Sequence, residues 1–225
     1  QVHDSILPAA ARAIAHGKTA EAESLGRARG ADDPEGAAVL ARLLVSRGRY
    51  DEAATLLRAP AAADPASEAA LELGLLLTER GSKAEARRVL APVSAAATRA
   101  RSAAVLLRSA RAARALGQTR TANALFRDAT AAAPNDPAID AAWGELLLEK
   151  FNLAEAARSF RAVLKRDAQW APAHLGLARA VAAEDPQAAI ASVRRALQID
   201  STLVDAHLFG AESALDDDHP AEARE

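Results

Sequence analysis

Small hydrophobic residues fall on two registers along the chain. One comprises Ala22, Ala53, Ala86, Ala122, Ala156, Ala189 and Ala223, whose positions step successively by 31, 33, 36, 34, 33 and 34. Twelve positions before these lie Ala10, Ala41, Gly74, Ala110, Gly144 and Ala211; the sixth unit has Ala178, one position having been lost near Asp185-Pro186. Leucine, phenylalanine and valine fill positions between the two registers. The mean step is far longer than the period of a helix or strand. It marks a supersecondary unit repeated along the chain.

Within each unit the pattern predicts two helices. Alanine has the best helix propensity and loses no rotamer entropy on folding. Small residues at two fixed positions let the helices approach closely while larger side chains fill the remaining space. Gly17, Gly48, Gly81 and Gly117 sit where the first helix of a pair must stop. Asp33-Pro34, Asp64-Pro65 and Asp136-Pro137 end one unit and open the next, because proline disfavours helix in its predecessor. No alternating strand pattern occurs. Units start near residues 3, 34, 67, 103, 137, 171 and 204, the last one incomplete. The longest step, from Ala86 to Ala122, predicts a lengthened second helix or loop around residues 91–100.

These phrases resemble the tetratricopeptide repeat, a helix-turn-helix unit of about 34 residues, over essentially the whole chain. Gly74 and Gly144 match the small residue of its first helix, and Leu73 and Trp143 the large residue before it. Leu57, Leu90, Phe126 and Phe160 match the bulky position of the second helix, and Pro34, Pro65 and Pro134 the proline between units. Gly26 departs from the pattern, as do Thr98, Ala168 and Ser201 in place of the proline. The resemblance implies an all-α, right-handed solenoid of antiparallel helix pairs, a single domain over 1–225, held together by contacts between neighbouring units.

The composition narrows the chemistry. Alanine accounts for 63 of 225 residues, and there is no cysteine, which removes disulfides, cysteine nucleophiles and zinc fingers. A net charge of -2 argues against a general nucleic-acid binder. No apolar run is long enough to span a membrane. Methionine is absent and the chain opens on Gln1, as after a processing cut or in an excerpt of a longer chain. An extracytoplasmic location, periplasmic or secreted, and a cytoplasmic one both fit.

No HExxH, phosphate-binding loop or GxSxG motif occurs. His174 and His207 hold the same position in successive units, so they read as repeat-borne packing or surface residues rather than metal ligands. Glu21, Glu52, Glu85, Glu155 and Glu222 all precede the register alanine and read as helix-start acids facing the helix dipole. The chain is therefore expected to be non-enzymatic, with no cofactor and no metal.

The resemblance implies that a peptide or protein segment binds along the face made by the first helices. Groove or rim positions hold Arg42, Arg108, Arg111, Arg114, Glu145, Glu149 and Arg179, with Leu75 among them. Residues 99–127 carry seven arginines and no acid. Arg108, Arg111 and Arg114 recur at every third position near one helix face. Planar guanidinium forks there suit an acidic partner. The lysine and asparagine of chaperone-tail binders are replaced by Leu7, Ala11, Ala38 and Arg42. The asparagine ladder of the sugar-transferase type is replaced by Pro8, Val39, Glu72, Arg108, Ala142 and Gly176.

Three functions follow as expectations. The first is a protein–protein interaction scaffold. The second is a self-assembling filament or tube formed by end-to-end stacking, because the helix at 204–215 and the face of Val2, Ile6 and Leu7 lack a polar cap. The third is an accessory module of a larger enzyme or secretion complex.

Overall fold

The structure is a computed structural model that describes residues 4–98 and 102–216, with the side chains of 214–216 excepted. Ala223, Arg99, Arg101, Val2 and the acidic turn at Asp217-Asp218 lie outside the described residues, as does the start of a second helix in the seventh unit. The described residues hold thirteen α-helices: α1 (Leu7–Ala15), α2 (Thr19–Arg29), α3 (Pro34–Ser46), α4 (Tyr50–Ala63), α5 (Glu68–Glu79), α6 (Lys83–Ala95), α7 (Ala103–Ala115), α8 (Thr119–Ala132), α9 (Pro137–Glu149), α10 (Leu153–Arg166), α11 (Ala171–Val181), α12 (Pro186–Ile199) and α13 (Val204–Asp216). No strand occurs among them. Consecutive helices pack on one another from α2 to α8 and again from α10 to α13, as in an all-α solenoid of antiparallel pairs.

Both small-residue registers are interior. Ala22, Ala53, Ala86, Ala122, Ala156 and Ala189 are all buried, as are Ala10, Ala41, Gly74, Ala110, Gly144 and Ala178. The bulky residues they make room for, Leu57, Leu90, Phe126 and Phe160, are fully buried. A methyl group on Gly74 would lie 2.4 Å from the Leu90 side chain, so the glycine is a socket for that leucine. Gly26 departs from the repeat pattern for a similar reason. Val39 and Leu40 of α3 pack where its side chain would be.

Helix ends follow local chemistry. Asp33 caps α3 by accepting from the Glu35 and Gly36 amides, with Pro34 in the first turn. Ser67 and Ser102 cap α5 and α7. Gly17, Gly48, Gly81 and Gly117 close the first helix of their pairs in the left-handed conformation. Phe151 takes that role in the fifth unit with φ 55° and is 87% exposed. In the lengthened segment between the third and fourth units a 3-10 turn over Ala96–Thr98 follows α6, and residues 99–101 lie outside the described residues.

Contacts divide the chain into two units, one of residues 1–14 and 18–139 and one of residues 15–17 and 140–225. The first is centred on Leu57, Leu71, Leu73, Leu76, Leu90 and Val93, with smaller clusters around Val39 and around Leu106 and Ile139. In the second, Phe160 fills the space left by Gly144 and Gly176.

Candidate interaction face

In the first unit, α5 packs against both α3 and α7. On α5, Glu68, Glu72, Leu75 and Glu79 are spaced by four, three and four positions, so they share one helix face. The two glutamates at its N-terminal end face arginines on the flanking helices. From α3, Arg42 Nη2 donates to Glu68 Oε1 and, at 2.7 Å, to Glu72 Oε1. From α7, Arg111 donates through Nη1 to Glu68 Oε1 at 3.0 Å and through Nη2 to Glu72 Oε1 at 2.9 Å. Two cations and two anions thus form one tier across three successive first helices. Its side chains are mostly withdrawn from water, with Glu68 at 7% and Glu72 at 12% exposure.

The electrostatics follow from that enclosure. Burial pushes the Glu72 carboxyl up, but the charges and hydrogen bonds of Arg42 and Arg111 outweigh it and hold the group down to about 2. Burial also works against the Arg42 charge. The carboxylates of Glu72 and Glu68 overcome it and hold the guanidinium above its ordinary value. The formal charges of the two arginines and two glutamates balance.

Of the residues expected on this face, the structure brings Arg42 and Arg111 together through glutamates that the repeat register alone does not pair with them. Arg108 and Arg114 lie one turn to either side of Arg111 on α7. Arg114 has a partner within the protein, as do Glu145 and Glu149 on α9. Arg108 is half-buried, and its Nε is enclosed without a hydrogen-bond partner. In the second unit Arg179 lies 3.6 Å from Asp205.

Other candidates carry less chemistry. His174 Nε2 bonds the Ala168 carbonyl at 3.0 Å and His207 Nε2 the Ser201 carbonyl at 2.9 Å, the same bridge to the preceding loop in successive repeats. Burial pushes the His174 imidazole down. No cluster of metal-ligating side chains occurs among the described residues. No helix among them is long and apolar enough to cross a membrane. An open apolar groove of about 410 Å³ lies between α4 and α6, lined by Ala61, Ala62, Pro65, Leu73, Val89 and Pro92. At its rim Arg58 and Glu85 satisfy each other at 2.9 Å.

No family model and no curated protein sequence matches the chain. Solved structures match its fold with low identity. The human IFIT1 dimer with PPP-AAAA superposes with a TM-score of 0.67 at 18% identity, over 91% of this chain and 51% of that one. A thermophilic tetratricopeptide-repeat protein of Thermus thermophilus gives 0.64 at 19% identity, over 81% and 99%. The anaphase-promoting-complex hetero-tetramer Cut9-Hcn1 gives 0.60 at 16% identity, over 99% of this chain. The chain spans only 45% of that last neighbour. The fold is that of the tetratricopeptide-repeat solenoids.

Proposed function

We propose that this tetratricopeptide-repeat solenoid is a non-enzymatic protein–protein interaction scaffold. An extended protein segment lies across α3, α5 and α7 of its first unit. The observation that carries this reading is the Arg42–Glu68–Glu72–Arg111 tier. It fixes the spacing of three first helices and leaves a surface of mixed, pre-organised hydrogen-bonding groups beside the half-buried Leu75. Ordering such side chains in the free protein lowers the entropic cost of binding.

Panning a phage-displayed library of random decapeptides against the purified chain tests this. Selected peptides are expected to lose at least tenfold in affinity on Leu75→Asp and to be indifferent to Arg87→Asp, an exposed change on α6. Helical circular dichroism checks that both variants fold. Peptides insensitive to Leu75→Asp, or a library yielding no saturable binder, contradict the proposal.

A further inference from the structure

We propose that Phe151 of one molecule seats in the apolar groove between α4 and α6 of a second copy, so that the solenoid associates with itself through a ring and a groove on different repeats. The inference goes beyond the scaffold reading and is independent of it.

Phe151 is the first half of the contact. It sits in the turn between α9 and α10, at the place that Gly17, Gly48, Gly81 and Gly117 fill in other units. Its φ of 55° is the only positive φ outside glycine among the described residues. That left-handed conformation is strained for a residue with a Cβ. Burial does not compensate, because the ring is 87% exposed, the most open large hydrophobic side chain among the described residues. Glu149, Lys150 and Asn152 beside it are exposed too, so the ring stands at the tip of the turn. Backbone preference favours glycine here, and packing within the chain gives phenylalanine no advantage. Strained residues of this kind cluster at functional sites, and aromatic side chains are enriched at interface cores.

The groove is the second half. It encloses about 410 Å³ between α4 and α6, a size within the range that takes a small organic group. Ala62, Pro65 and Pro92 on its lining are exposed and Val89 is half-buried, so apolar surface lies open to water. Arg58 and Glu85 bond each other at the rim, at 2.9 Å. Arg88, exposed on the same rim, supplies a cation for the face of an aromatic ring, which an aliphatic side chain would not use.

Every molecule carries both halves, and both are open to a second molecule. Seating the ring removes apolar surface of each from water. The flanking charges are mixed in sign, Glu149 and Lys150 beside the ring and Arg58, Glu85 and Arg88 around the groove, so neither side sets a single-sign field against the other. The two surfaces differ, which makes the contact heterologous. One aromatic side chain buries about 150–250 Å², far less than the roughly 1,200 Å² of a stable complex. The association is therefore weak, with a dissociation constant on the order of 100 µM.

Sedimentation equilibrium of the purified chain from about 1 µM to about 1 mM spans that range and tests the contact. The average mass of the wild type should rise with concentration. Phe151→Gly, which suits the turn, and Ala62→Arg, an exposed change that fills the groove, should each weaken association about tenfold or more. Leu208→Gln, an exposed change on α13, should leave it unaltered, and circular dichroism checks that all three variants are helical. An equimolar mixture of Phe151→Gly and Ala62→Arg should associate with wild-type affinity and stop at a dimer, because each variant retains the half the other lacks. A wild type that stays monomeric throughout, or a mixture that fails to associate, overturns the proposal. Loss on Ala62→Arg with none on Phe151→Gly puts another segment in the groove, and loss on Leu208→Gln alone moves the interface to α13; either result overturns it as well. None of these outcomes bears on peptide binding beside Leu75.

Discussion

Glu72 is held in its ionised form by two guanidiniums inside a partly dry tier, and that has a consequence for stability. A carboxyl whose pKa is lower folded than unfolded stabilises the fold when it is ionised in both states, and the contribution disappears as the folded group is protonated. The stabilisation from Glu72 is therefore complete above pH 4.5, declines below it, and is gone once the pH falls through about 2. Urea midpoints measured from pH 6 to pH 2 should fall in this window, and Glu72→Gln should flatten that part of the profile. At neutral pH the same substitution should cost about 3 kcal/mol, because it leaves two arginines short of a partner in a half-buried site. Arg108→Met should act in the opposite direction. Removal of an enclosed, unbonded Nε–H should raise stability by about 1 kcal/mol in the same assay. The repeat register numbers each helix face, and it is on that ground that Arg42, Arg108 and Arg111 are expected at groove positions. The bonding among them was not legible there. Repeat register assigns a side chain to a face, but it does not say which of two neighbouring helices a long arginine will reach, or that Glu68 would join Glu72.

At the scale of the helix, glycine and alanine set how closely neighbours approach. A methyl group on Gly176 would come within 2.3 Å of Phe160 Cζ, and one on Gly144 within 2.8 Å of the same ring. Gly176→Ala should therefore destabilise by about 1–3 kcal/mol through overpacking, measured by denaturant midpoint. Phe151→Gly should stabilise by about 1 kcal/mol, since phenylalanine at φ 55° carries left-handed strain and, being 87% exposed, gains little burial in return. A midpoint that stays put or falls would mean that the Phe151 ring contributes more than its exposure suggests. The helix boundaries were largely visible in the sequence, because spacing of small residues and the Asp-Pro and Gly signals are local. Two features were not. Pro60 and Pro92 lie inside α4 and α6 near their last turns, where tertiary packing tolerates a lost amide bond. The 3-10 turn over Ala96–Thr98 lies in the segment that the spacing marked as lengthened without giving it a conformation.

At the scale of the molecule, each repeat is stabilised chiefly by the next, so damage should spread over neighbouring repeats and fade along the array. Phe160→Ala empties a fully buried site that serves Gly144 and Gly176, at a cost of about 4 kcal/mol. Hydrogen exchange should then show lost protection in α9–α11 while α3–α5 stay protected; uniform loss over all helices would contradict nearest-neighbour stability. The solenoid architecture was readable from the regular recurrence of Ala22, Ala53, Ala86 and their successors, whereas the binding function proposed above rests on one face of the first unit. That claim is tested most directly by photocrosslinking a selected decapeptide to chains carrying benzoylphenylalanine at position 75 or at position 87. The account predicts adducts from position 75, between the Arg42 tier and Glu79, and none from position 87 on α6. Adducts from position 87 alone, or equal yields from both, would contradict it.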